Sequence, residues 1–221
     1  LHDRWGVFES HVTAWRVPTM VMAALALWLS YLLGVMIHGR RAGVFAALAL
    51  AFMPRVFFHG HLACFDAPVM FTTLLIAYCY LRAARSRRWA IASGIAVGLG
   101  FATKLNTFFV PFTLLAVAIV DVYAFKRRTG AWRVAGDARG PLTYHGWTAV
   151  SMLVLGGVVF FGHWPWLWYD TVERLGFYIS FHAKHVHYPV DYLGFLYFRP
   201  PFPMHFPFVF SALTIPIGIL V

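Results

Sequence analysis

The sequence predicts an all-α fold: a polytopic transmembrane helical bundle of about seven spans, with short interfacial helices in a long outer loop. Three observations carry this. Hydrophobic residues make up 61% of the 221 and charged residues only 12%, against about 25% charged in ordinary soluble domains; mean hydropathy is +0.69. Between Val17 and Ile37 no side chain carries a charge, and Arg40 and Arg41 follow at once. At ~1.5 Å per residue that run makes a helix of roughly 31 Å, the thickness of a hydrocarbon core. Similar runs then recur, and clusters of basic residues return after every second one.

The expected spans are 17–37, 42–58, 67–82, 89–104, 105–125, 143–163 and 205–221. Residues 1–16 form the tail of an outer loop, 17–163 a core of six spans, 164–204 an aromatic-rich outer segment, and 205–221 the start of a further span. The connections at 38–42, 82–88 and 126–139 hold Arg40, Arg41, Arg82, Arg85, Arg87, Arg88, Lys126, Arg127, Arg128, Arg133 and Arg139. Those eleven, of 18 Lys and Arg in all, have Asp137 as the one carboxylate among them. The other connections carry Asp66, Asp170, Glu173 and Asp191. The positive-inside tendency makes the first set cytoplasmic and the second extracytoplasmic. The net charge of +10 is then a topology signal, and no nucleic-acid partner is expected. Cys64 and Cys79 form neither a disulfide framework nor a recognised ligand spacing. The chain opens on polar residues without Met and stops inside an apolar run, so a piece of a longer protein is expected.

Two spans are short. The uncharged runs between Asp66 and Arg82 and between Arg88 and Lys104 fall below the ~20 residues of a full crossing. Asp66 and Lys104 therefore either sit below the outer water interface, inside the bundle, or cap their helices at it. Ser93, Gly94, Gly98 and Gly100 allow close helix approach nearby. Residues 164–204 are dense in aromatics, His and Pro (WPWLWYD, FHAKHVHYP, FRPPFPMHFP). Tyr and Trp favour the headgroup level, and Pro200, Pro201, Pro203 and Pro207 exclude a continuous helix. Short helices and turns along the outer interface are expected there.

Ionisable groups gather at the outer mouths. The loop RVFFHGHLACFDAPVMF, residues 55–71, brings together Arg55, His59, His61 and Asp66, and such groups at membrane depth are costly and commonly functional. Asp66 before Ala67 and Pro68 also reads as a helix start, which leaves the basic neighbours unexplained. In GLGFATKLNTFF, residues 98–109, Lys104 is a lone cation beside Asn106. It suits a phosphate as a compact point charge, or snorkels to anionic headgroups. Arg16, ahead of Val17-Pro18-Thr19, reads most simply as an interfacial anchor. His182, His185 and His187 are either a metal site or water-facing imidazoles in aromatic packing; the lack of a carboxylate or Cys partner in sequence favours packing, and no metal is assigned.

Taken in order, these segments resemble a known family. RVPTMVMAALALWLSYLLG (16–34), RRAGVFAALALAFMPRVFFHGHLACFDAPVMF (40–71) and WAIASGIAVGLGFATKLN (89–106) are similar to the membrane core of the C-type glycosyltransferases. The similar branch holds the protein O-mannosyltransferases and lipid A aminoarabinose transferases, glycosyltransferase family 39. Its pattern is an Arg-x-Pro-small start to one span, Arg-Ala-Gly at the next, Asp-x-Pro in the outer loop and a Gly-rich helix ending in Thr-Lys. The resemblance covers about residues 14–125, and WPWLW…HVHYP…PPFP is similar to a later loop of bacterial members. It implies an inverting transferase that takes a sugar from a polyprenyl phosphate to a protein, lipid A or glycan acceptor on the extracytoplasmic face of the inner membrane. No cofactor is implied, and the partners are membrane lipids, the lipid-linked sugar and the acceptor. The family's principal carboxylate lies in the first outer loop, of which LHDRWGVFESHVTAWR resembles the tail, so Asp3 and Glu9 do not stand in for it. By position the resemblance assigns Arg16 and Lys104 to the donor phosphate and Asp66 to catalysis in the polar network of the site; Arg55, from the reading of its loop, is expected to join the donor phosphate. His59 and His61 fall to the acceptor or polar network.

A transporter would place ionisable groups in mid-span. Here mid-span positions read as almost purely apolar, which favours interfacial chemistry over conduction. A non-catalytic lipid-binding subunit is the remaining alternative.

Overall fold

The computed structural model describes residues 6, 8, 10–132, 140–184 and 188–215. It divides into two units, Leu1–Phe52 with Val56–Trp164, and Met53–Arg55 with Pro165–Val221.

In the first unit, α1 (His11–His38) opens six residues ahead of the expected Val17, because the Ser10 hydroxyl accepts the Val12 N–H at 3.2 Å and caps it. Gly39 takes φ 83° and turns the chain directly into α2 (Arg40–Ala51). The expected straight span over 42–58 is not formed. α2 stops at Ala51, α3 (Pro54–Gly60) begins two residues on, and the two helices are bent by 70°. Pro54 is the cause: it has no N–H to continue the ladder and it pushes Met53 out of helical geometry. Next come α4 (Asp66–Ala83), α5 (Arg87–Thr103), a 3-10 turn (Leu105–Phe108), α6 (Phe109–Thr129) and α7 (Pro141–His163).

Among the described residues three helical stretches are long and apolar enough to cross a membrane: His11–His38, Leu105–Thr129 and Pro141–His163. The bent pair α2–α3 makes up to four. Of the seven expected spans, these three or four meet that length and hydropathy among the described residues. α4 and α5 are present, but with 18 and 17 residues they measure about 25–27 Å, short of a ~30 Å core. They are also the most enclosed helices. The core cluster joins Ile76 and Tyr80 of α4, Ala96 and Val97 of α5 and Leu114 of α6. A helix screened from lipid by its neighbours does not need an apolar circumference, so small and polar residues dilute its hydropathy.

Small residues set the tightest contact. A Cβ added at Gly98 would lie 2.6 Å from the Gly156 carbonyl oxygen and 2.6 Å from Val159 Cβ, so α5 and α7 meet nearly backbone to backbone. The basic ends of α4 and α5 meet the start of α7: the Arg82 guanidinium lies 4.8 Å over the Trp89 ring and that of Arg87 lies 5.2 Å over Trp147.

The second unit holds a 3-10 turn (Pro165–Trp168), α8 (Thr171–Ala183), strands β1 (Val190–Tyr192) and β2 (Phe195–Tyr197), and α9 (Phe206–Thr214). The strands pair antiparallel with Val190 opposite Tyr197 and Tyr192 opposite Phe195. The structure is mostly helical as expected, and this hairpin is an addition to the short helices and turns expected over 164–204. Its two-residue turn, Leu193-Gly194, has φ of 53° and 81°, the left-handed pair that a tight hairpin needs; Leu in the first position hid it from sequence reading. Arg174 donates to the Trp166 carbonyl at 2.6 Å and lies 5.3 Å over its ring, which fastens α8 to the preceding turn. Of the expected last span, Phe206–Thr214 is helical and 216–221 lies outside the described residues.

Candidate functional site

The N-terminus of α4 and the C-terminus of α5 meet at the end of the first unit opposite the Arg-rich loops. α5 ends because Lys104 is extended, with φ −162° and ψ 140°, while its N–H still bonds the Gly100 carbonyl. Thr107, fully buried, donates to the same carbonyl at 2.9 Å and locks the following turn against α5. Lys104 is thereby aimed at α4. Its Nζ lies 3.3 Å from Asp66 Oδ1, and His59 Nδ1 lies 3.0 Å from Asp66 Oδ2. Cys64 Sγ completes the group, 3.7 Å from Asp66 Oδ2 and 4.0 Å from His59 Nδ1.

A tight turn supplies this geometry. After α3 ends at buried Gly60, the N–H groups of His61 and Leu62 bond the carbonyls of Phe58 and His59, and that of Cys64 bonds Leu62. Five residues then return the chain to α4. The Asp66 side chain does not cap its helix. Its recorded partners are Lys104, His59 and Cys64, with none among the helix N–H groups. The side chains stay accessible, Asp66 at 46%, Lys104 at 40% and His59 at 33%, so the group lies at the surface of the unit rather than in its interior.

The other expected site residues lie elsewhere. His61 turns back to the Phe57 carbonyl, 2.6 Å from its Nδ1, and its ring stands 4.6 Å from that of Phe57. It borders an apolar cavity of about 410 Å³ lined by Met20, Ala23, Leu27 and Val56. Arg16 is exposed in the second turn of α1 and has no ion pair among the described residues. Arg55 belongs to the second unit, where its guanidinium lies 5.4 Å over the Phe210 ring. His182 Nδ1 lies 2.8 Å from the Tyr178 carbonyl, with the two rings edge to face. His185, His187, Asp3 and Glu9 fall outside the described residues.

A second polar group was not foreseen. Asp121, in α6, accepts a short hydrogen bond from the Tyr144 hydroxyl and lies 3.2 Å from His145 Nε2. His145 Nδ1 lies 2.7 Å from the Tyr80 hydroxyl, which bonds the Leu114 carbonyl at 3.0 Å. The network sits near the Arg-rich ends of its helices, with Tyr80 two residues before Arg82 and Asp121 five before Lys126, so it does not bear on the reading of mid-span positions as almost purely apolar. Asp121 itself, the one carboxylate inside an expected span, was the available signal. The network borders an apolar cavity of about 800 Å³ that runs from Phe101 and Pro111 past Leu115 and Met152 to Tyr123.

Residues 5–135 match the family of dolichyl-phosphate-mannose-protein mannosyltransferases, a stretch that takes in α1 to α6 and every residue of the Asp66 group. The chain belongs to that family. No curated protein and no solved structure matches it. This member of the mannosyltransferase family is therefore a membrane protein of a glycosyltransferase family, with its matched region carrying the ion pair between α4 and α5.

Proposed function

We propose that the protein is an integral-membrane glycosyltransferase that moves a sugar from a polyprenyl-phosphate donor to a hydroxyl of a protein, lipid A or glycan, with inversion, at the extracytoplasmic face of the cell's inner membrane. The observation that carries this is the Lys104–Asp66 pair at 3.3 Å, a cation and a carboxylate set side by side at one accessible end of an apolar helix bundle. In the proposed reaction an acceptor oxygen attacks the anomeric carbon from the face opposite the phosphate. The bond from that carbon to the phosphate oxygen breaks, and the polyprenyl phosphate departs with the electron pair. The acceptor proton passes to the Asp66 carboxylate as general base. Lys104 stabilises the charge that grows on the leaving phosphate, and His59, 3.0 Å from Asp66, lies toward the acceptor. The 800 Å³ apolar cavity begins at Phe101, about one helical turn before Lys104, and offers the isoprenoid chain a surface without polar cost.

The test is sugar transfer by the protein in proteoliposomes supplied with a polyprenyl-phosphate sugar. Lys104→Ala and Asp66→Asn should each reduce transfer at least about 100-fold, the loss typical of one missing electrostatic contact in a transition state, with membrane insertion unchanged. Transfer at the wild-type rate by both variants overturns the assigned roles.

A further inference from the structure

We propose that His59 Nδ1, Cys64 Sγ and Asp66 Oδ2 form a binding site for one divalent cation of the zinc class, open on its fourth side. Imidazole, thiol and carboxylate are the three zinc-ligating side chains, and here one of each converges within 4.8 Å. A tetrahedral zinc with bonds of ~2.0–2.1 Å to N and O and ~2.3 Å to S requires edges of about 3.3 Å for N···O and about 3.5 Å for S···N and S···O. The observed separations are 3.0, 4.0 and 3.7 Å, each within about half an ångström of that geometry. Small rotations of three side chains suffice to close it.

The donor set also selects the metal. Mg²⁺ and Ca²⁺ take oxygen ligands, whereas a mixed thiolate and imidazole set favours zinc and its neighbours. Three protein ligands leave the fourth position for water or for an anionic oxygen, the arrangement of a site with exchangeable ligand rather than of a closed structural site. Lys104 binds the other carboxylate oxygen, Oδ1, at 3.3 Å, so Asp66 is free to ligate through Oδ2 alone while its orientation is held from behind, as outer partners of metal-bound carboxylates do. Cation loading displaces the proton of the Cys64 thiol to solvent and places the His59 proton on Nε2. The loaded group then carries one net positive charge: two from the metal and one from Lys104, less one each from Asp66 and the thiolate. A phosphate or carboxylate oxygen fits that fourth position, and the exposed Asp66 beside the half-buried His59 and Cys64 gives the ion a path in. The site stands on its own geometry, and in the loaded state the Asp66 carboxylate is a ligand and not the general base of the sugar-transfer reading.

The experiment titrates Co²⁺ into the detergent-solubilised, chelator-treated protein, because Co²⁺ reports tetrahedral thiolate ligation by absorption. One equivalent should bind, with a thiolate-to-metal charge-transfer band that Zn²⁺ bleaches by displacement. Cys64→Ser should abolish the band, His59→Ala should weaken binding by about tenfold or more, and Cys79→Ser, which alters a buried thiol on α4, should change neither. Absence of one-equivalent binding, or a band that survives Cys64→Ser, overturns the site. A second readout uses unaltered protein: saturating Zn²⁺ should slow alkylation of Cys64 by a maleimide, and alkylation at an unchanged rate overturns the site even where a variant fails to fold.

Discussion

Asp66 and Lys104 stood out in the sequence because each is a lone charge at the edge of an uncharged run. What the sequence did not show is that the two side chains touch. Being 46% and 40% exposed, the pair adds only about 0–1 kcal/mol to stability. Lys104→Ala should accordingly leave the melting temperature in detergent nearly unchanged while transfer activity falls, and a large loss of stability would contradict a functional reading of the pair. The Asp121 network behaves in the opposite way. Tyr80 is buried and its hydroxyl bridges the Leu114 carbonyl and His145, so Tyr80→Phe should cost about 0.6–2 kcal/mol in unfolding by denaturant from micelles. Cys64 escaped sequence reading because its partners stand five residues before and two after it. That spacing matches no common ligand motif and acquires meaning only through the turn between α3 and α4.

Among the elements, long apolar helices were the easiest to recognise. α1 and α7 present long apolar surfaces, and their hydropathy alone defines them. α4 and α5 were recognised mainly from the charges that bound them, since enclosure lets them carry Ser93, Gly94, Gly98 and Thr72 in place of large apolar residues. The close approach of α5 to α7 gives a sharp test. Gly98→Ala should destabilise by about 1–3 kcal/mol, because its new methyl group would press on the Gly156 carbonyl and on Val159. Gly157→Ala, one residue further on α7 and facing open space, should be neutral or slightly stabilising. Equal effects in the two variants would show that this contact does not hold the helices together. The bend at Pro54 was also available in the sequence, since Pro in mid-span interrupts a helix, yet hydropathy averaged across it and returned one straight span. The hairpin at 190–197 lacked the usual Asn-Gly or Asp-Gly turn and so gave no signal.

For the molecule as a whole, the arrangement makes one claim about sidedness. In a protein with Cys64 and Cys79 replaced by Ser, single cysteines at Phe65 and Asn106 should react with a membrane-impermeant thiol reagent from one side of a sealed vesicle. Cysteines at Ser86 and Gly130 should react only from the other. Labelling of 65 and 106 from opposite sides would separate Asp66 from Lys104 and remove the basis of the proposed chemistry. Composition, the length of apolar runs and the placing of Arg-rich loops were enough to establish a membrane helical protein, because those properties follow from the cost of charge and of bare backbone in hydrocarbon, which acts on each segment separately; the family was legible only in the ordered motifs from Arg16 to Lys104. The ion pair across 38 residues, the convergence of His59, Cys64 and Asp66, and the network around Asp121 were decided by packing. They depend on which helix ends meet, and that is fixed by small residues and turn geometry acting between segments, where no local pattern in the sequence records the outcome.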